Sequence, residues 1–177
     1  MIYYDLTGEI NGNNAQGLIH YFNTQIIDNN YNETFTIFLS SEGGDIDSAI
    51  RIYDFLKSVE NRVFIVGFGQ IDSAAIVIYL AGDKRVVLPK TRFRFHEPTY
   101  NMQQERSSLS VFDERVKLFK ELDNWMKEIA VLEIGKSKAK ILKLYSDGVV
   151  LNANQAKDFG LVHEIVTQIP KPNNIWP

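Results

Sequence analysis

The stretch Val66-Gly67-Phe68-Gly69-Gln70-Ile71-Asp72-Ser73-Ala74-Ala75 decides how this chain is read. An apolar, β-type run, Val63-Phe64-Ile65-Val66, arrives at two glycines, and an apolar run with helical character, Ala74 to Ala81, leaves it. One hydroxyl, Ser73, sits between them. A strand that ends in glycines and feeds a helix start can hold a serine on a sharp turn with backbone N–H groups nearby, which is where a nucleophile would be placed. The plain alternative is that Ser73 is only a helix N-cap, a position that favours serine anyway.

Outward from that turn the chain alternates strands and helices. On its N-terminal side, Ile2 to Leu6 reads as a short strand ending at Gly8, and Asn13 or Asn14 can cap a helix running to about Asp28. The apolar residues of that helix, Leu18, Ile19, Phe22, Ile26 and Ile27, share one face and leave His20 at the surface. Thr34 to Leu39 is a strong strand that stops at Ser40-Ser41-Glu42-Gly43-Gly44, and a helix follows from about Ile46 to Val59. Beyond Ser73, Arg85 to Leu88 is a strand ended by Pro89, and Arg92-Phe93-Arg94-Phe95-His96 alternates polar and apolar residues up to Pro98. This order argues for an α/β protein with a parallel sheet covered by helices, whose functional loops gather beyond the carboxyl ends of the strands. Both the Gly43-Gly44 loop and the Ser73 turn lie there.

Residues 99 to 110 read as a loop. A long helix is expected over about 107–134. It carries one stripe of Phe112, Val116, Phe119, Leu122, Met126 and Ile129, and a second of Val111, Leu118, Trp125 and Leu132. Two apolar faces on one helix point to a contact between subunits. A basic helix, Lys136 to Tyr145, precedes the Asp147-Gly148 turn and a short extended piece, Val149 to Leu151. Asn152 caps a helix over Ala153–Phe159 that Gly160 closes, and Leu161 to Val166 reads as a final strand. The tail, 168–177, carries three prolines and is expected to be loosely held.

With 177 residues, 45% of them apolar and 23% charged, the chain reads as a single domain, 1–177. A net charge of −3 gives no electrostatic reason to expect nucleic acid or an anionic membrane. With no cysteines, disulfides and thiolate metal sites are excluded, and His20, His96 and His163 are too far apart to pair at metal-ligand spacing. No signal peptide is recognisable at the N-terminus and no apolar run approaches a membrane span, so the cytoplasm is the expected location.

A serine becomes a nucleophile only with a base for its proton and donors for the developing oxyanion. The candidate base is His96, and the candidate donors are the backbone N–H groups of Gly44 and Ala74. Taken singly, such a histidine is more often a core or surface residue and a Gly-Gly pair more often just a turn; their order and setting raise the odds.

Four motifs in register carry a resemblance to the Clp protease proteolytic subunit (ClpP) family, within the wider ClpP/crotonase fold. Ser40-Ser41-Glu42-Gly43-Gly44 is similar to that family's Asn-Ser-Pro-Gly-Gly loop, and Gly69-Gln70-Ile71-Asp72-Ser73-Ala74-Ala75 to its Gly-x-Ala-Ala-Ser-Met-Gly nucleophile turn. The segment from Leu88-Pro89 to His96-Glu97-Pro98 resembles its Leu-Pro-Asn-(Ser/Ala)-Arg-x-x-x-His-Gln-Pro, and that from Asn152-Ala153 to Gly160-Leu161-Val162-His163 its Ser-Ala-x-Glu-Ala-x-x-x-Gly-Leu-(Val/Ile)-Asp. The similarity runs from Thr7 to about Val166. It implies ββα-type repeats, a protruding handle helix at about 107–134 that pairs subunits of two stacked rings, and a serine endopeptidase that uses no cofactor. By the same resemblance Ser73 is the nucleophile, His96 the base, and Gly44 and Ala74 the oxyanion hole.

Some positions depart from the family. A gapless match puts Gly148 where the family has the aspartate of its triad, so Asp147, one residue earlier, is the expected third member. Asp72 stands beside the nucleophile where the family has a small residue, and Glu42 where it has proline. An unfoldase ATPase is the partner the resemblance implies, although the chain begins at the first sheet strand, without the segment that forms the family's axial loops. Two other readings are a catalytically silent ring subunit that regulates a partner, and an acyl-CoA activity of the crotonase type, which would not need the Ser73/His96 pair.

Overall fold

A computed structural model describes residues 1–28, 33–99 and 108–169. In order, the elements are β1 (Ile2–Thr7), α1 (Gly12–Ile27), β2 (Phe35–Ser41), α2 (Ile46–Ser58), β3 (Val63–Asp72), α3 (Ala74–Leu80), β4 (Lys84–Val87), β5 (Arg92–Arg94), α4 (Leu109–Ile134), α5 (Lys138–Ser146), β6 (Val150–Asn152), α6 (Ala153–Phe159) and β7 (Glu164–Ile165). Strands β1, β2, β3, β4 and β7 lie side by side in that order, all parallel. This is a mixed α/β fold with a parallel sheet covered by helices and one long helix, α4.

Strand β3 is the spine. Its first half pairs with β2 and β4, and its last residues, Gln70 to Asp72, pair with β5. The glycines at 67 and 69 do not end it, as their sequence suggested, but are carried inside a ten-residue strand. At position 67 a side chain would collide with Ile71, Val87 and Tyr79, so glycine there lets the strand pass through a crowded core. Val63 and Ile65 face the main core under the helices, and Phe64 and Val66 face a smaller cluster with Val86 and Val166. Burial on both faces explains the unbroken apolar run of this central strand.

Helix α3 is buried over its whole length, Ala74 to Leu80. Each of its Ile, Val and Leu side chains contributes about 1.5–3 kcal/mol by burial, which fixes the helix and the turn that begins it. Helix α4 is anchored at one end: Met126, Ala130 and Ile134 are buried, whereas Leu109 is 83% exposed. Buried Arg85 of β4 lies 3.8 Å from the Glu133 carboxylate of α4, which also accepts a 2.6 Å hydrogen bond from the Tyr53 hydroxyl of α2.

The second sequence stripe of α4 remains uncovered. Leu118, Trp125 and Leu132 are 60%, 41% and 73% exposed. The final strand is shorter than the Leu161–Val166 reading, because Leu161 and Val162 close the α6 turn onto the Ala156 carbonyl instead of joining the sheet. The loop read over 99–110 and the tail over 168–177 fall largely outside the described residues.

Candidate active site

Asp72 ends β3 and Ala74 begins α3, so the direction change falls on Ser73 alone. Its backbone, at φ 55° and ψ −126°, is the sole non-glycine positive φ among the described residues. Such a conformation costs on the order of 1–3 kcal/mol and persists only where the surroundings over-determine it. Here buried β3 and α3 hold both sides, and the Ser73 N–H donates to the Arg94 carbonyl at 2.9 Å. The Ser73 hydroxyl makes no cap hydrogen bond to α3, so capping does not account for it.

The Gly43-Gly44 loop lies against this turn. The Ser41 hydroxyl accepts from the Gly43 N–H at 3.0 Å, and Ile10 clasps the loop through its N–H to the Gly43 carbonyl and its carbonyl from the Asp45 N–H. Gly43, at φ 94°, is so close that a Cβ there would sit 2.7 Å from the Ser73 Cβ. Among the described residues the Gly44 N–H and the Ala74 N–H have no acceptor. Two uncommitted amides flanking a serine are what a developing oxyanion requires.

His96 follows β5 and is half-buried. Its Nδ1 lies 2.8 Å from the Glu97 carbonyl oxygen. A carbonyl only accepts, so in the neutral ring this bond puts the proton on Nδ1 and the lone pair on Nε2, the arrangement a general base needs. Ser73, Gly43, Gly44, Arg94 and His96 line one cavity of about 550 Å³, closed on the α4 side by Phe119 and Leu122. No hydrogen bond joins Ser73 to His96 in this conformation, and such bonds are commonly long in a resting site.

Asp147, expected as the third member of the triad, makes no hydrogen bond to His96 in this structure. It caps the C-terminus of α5, and its carboxylate meets Lys143 Nζ at 2.6 Å and the Ser146 hydroxyl at 3.3 Å. The hydrogen bond from Lys143 holds its carboxyl below the usual carboxylate range. The reason is local: an i,i+4 pair with a lysine in the last helical turn is satisfied without leaving α5.

The sequence reading left two neighbours of the site without a definite role. Asp72 pairs with Arg94 in the β3–β5 register and is 1% exposed. Its Oδ2 lies 3.4 Å from both Arg92 Nη2 and Arg94 Nε, while its Oδ1 is buried without a hydrogen-bond partner. Burial pushes its carboxyl above the usual range, and the two guanidiniums partly oppose that. The strict alternation of Arg92 and Arg94 was the signal that both share one face of β5.

Comparison with known proteins gives one answer. Residues 4–169 match the family model described as Clp protease. The ATP-dependent Clp protease proteolytic subunit 2 of Borreliella burgdorferi is 35% identical over 133 residues, covering 73% of this chain and 65% of that protein. The proteolytic subunit 3 of Rhizobium etli is 33% identical over 138 residues, 76% of this chain and 69% of that one. The chain thus spans about two thirds of the length of these relatives. A solved structure of a mutant ClpP1 from Listeria monocytogenes superposes with a TM-score of 0.81 at 28% identity, over 94% of this chain and 91% of that chain.

Proposed function

The chain belongs to the Clp protease family, and on that premise we propose that it is a serine endopeptidase that cleaves polypeptides through an acyl-enzyme. The observation that carries this reading is the strained Ser73 turn, flanked by the uncommitted Gly44 and Ala74 amides and sharing its cavity with His96. Ser73 Oγ attacks the scissile carbonyl carbon as His96 Nε2 takes the hydroxyl proton. The Gly44 and Ala74 amides hold the oxyanion. Collapse of the tetrahedral species breaks the C–N bond, and His96 gives its proton to the leaving amine. Water then repeats the sequence on the ester and frees Ser73. The Glu97 carbonyl supplies the acceptor on Nδ1 that fixes the tautomer.

A fluorophosphonate probe tests this directly. We expect the folded parent chain to be labelled at Ser73 and the Ser73→Ala chain to stay unlabelled. An unlabelled parent would favour the second reading, a catalytically silent ring subunit. That reading draws support from the absence of a Ser73–His96 hydrogen bond and from the engagement of Asp147 with Lys143.

Assembly belongs to the same proposal. The exposed Leu118, Trp125 and Leu132 of α4 form an apolar strip suited to a second copy of the chain, within the stacked rings the family implies. Light scattering at micromolar concentration should give a mass well above 20.3 kDa, and a clean monomer would refute this use of α4. The names of the relatives speak of ATP-dependent proteolysis, and an unfoldase ATPase feeding the ring from the cytoplasm completes the proposal. No helix among the described residues is long and apolar enough to cross a membrane.

A further inference from the structure

We propose that Arg94, held by buried Asp72, reads a carboxylate of the substrate peptide, so that this site prefers an Asp or Glu side chain beside the scissile bond. This rests on the peptidase reading above and adds a substrate class to it. Arg94 lines the cavity that holds Ser73 and His96. Its Nε faces Asp72 Oδ2 at 3.4 Å, and no acceptor among the described residues meets its two terminal amino groups. Arg92 differs: its Nη2 is spent on the Gln70 side chain at 2.6 Å as well as on Asp72, and it does not line the cavity.

A guanidinium anchored at Nε keeps a planar fork of donors that matches a carboxylate two bonds at a time. The anchor matters because an unfixed arginine loses much side-chain entropy on binding, whereas a positioned one loses less. Asp72 is well suited to fixing it, being 1% exposed and in register with Arg94 across the β3–β5 ladder.

Charge across the cavity then sets the register of the peptide. Glu9 and Glu42 line the cavity with the glycine loop, and neither has a cation partner among the described residues. Asp45, the third acid there, is committed to the Ser48 N–H and hydroxyl. A substrate carboxylate is therefore repelled from the loop wall and drawn to the β5 wall, where Arg94 and His96 stand. The carboxylate could also come from the C-terminus of a short peptide, and the test separates the two sources.

The test is binding to the Ser73→Ala protein, which needs no turnover. Labelled hexapeptides with an amidated C-terminus carry one Glu, walked through the six positions, against an all-Gln peptide and an all-Gln peptide with a free C-terminus. Anisotropy should show one Glu position binding about tenfold tighter than Gln, an effect in the range of a charge-assisted pair at a half-exposed site. That preference should vanish with Arg94→Met, survive in part with Arg94→Lys, and shrink with Asp72→Asn. Circular dichroism checks that each variant is folded. If no Glu position outbinds Gln, or the preference survives Arg94→Met, the proposal falls. A preference found only for the free C-terminus also overturns the side-chain assignment. If the parent hydrolyses nothing yet the Ser73→Ala protein shows the Arg94-dependent preference, the peptidase reading fails and only the recognition of a peptide carboxylate by Arg94 stands.

Discussion

Replacing Ser73 with alanine is expected to abolish hydrolysis of a fluorogenic peptide while leaving the fold as it is. The hydroxyl makes no cap hydrogen bond, so its loss removes nothing that holds α3. Alanine and serine carry the same Cβ at φ 55°, so the backbone strain is unchanged. Stability should therefore shift by no more than about 1 kcal/mol. Activity should fall by at least about a thousandfold, because a nucleophile and its base act as a unit and the remaining oxyanion donors sustain only residual catalysis. Thermal melting and a peptide assay on the same preparation measure both. Undiminished turnover by the Ser73→Ala protein would remove Ser73 from the chemistry altogether.

The second large effect is expected at Gly43, where the loop touches the nucleophile. A side chain there would place its Cβ 2.7 Å from the Asp72 carbonyl oxygen and from the Ser73 Cβ, and 3.1 Å from the Ala74 nitrogen. Gly43→Val must push the loop away from Ser73, carrying the Gly44 amide with it. Loss of one oxyanion donor lowers kcat by about 10²–10³. The positive φ of 94° adds strain on the order of 1–3 kcal/mol. Gly135→Val provides the control. That residue also has positive φ, 68°, but a side chain there meets nothing within 4 Å, so it should lose stability and keep kcat. Equal turnover by the Gly43→Val protein and its parent would show that the loop does not form the oxyanion site.

Most of the fold was legible because its signals are local. The Phe35 strand, the α6 caps at Asn152 and Gly160, and the apolar stripe of α4 each rest on a few neighbouring residues. The extent of β3 was not legible, since Gly67 and Gly69 read as an end when taken alone. Only the crowding of Gly67 by Tyr79, Val87 and Ile71 shows why glycine stands inside the strand there. The proposed site residues Ser73, Gly44, Ala74 and His96 could be singled out because each falls near an element boundary. The pairing of Asp147 with Lys143 was not read, because a match along the chain says nothing of which partner satisfies a carboxylate first, and Lys143 was four residues away. The role proposed for Asp72 required the β3–β5 pairing, which no local pattern reveals.

The way β5 is held also sets a time order. This three-residue strand lies between the end of β3 and the antiparallel β6, with the Phe95 N–H closing onto the Val149 carbonyl. Its partner on one side, residues 70–72, precedes it closely, but the partner on the other, residues 150–152, lies beyond the whole of α4. Contacts so distant in sequence form late, since the entropy of closing the intervening chain must be met first. During synthesis the serine turn and glycine loop would emerge from the ribosome well before the segment that braces the histidine strand. A peptidase of the kind proposed stays unassembled while it is still a nascent chain, with the histidine side of its site among the last parts to form.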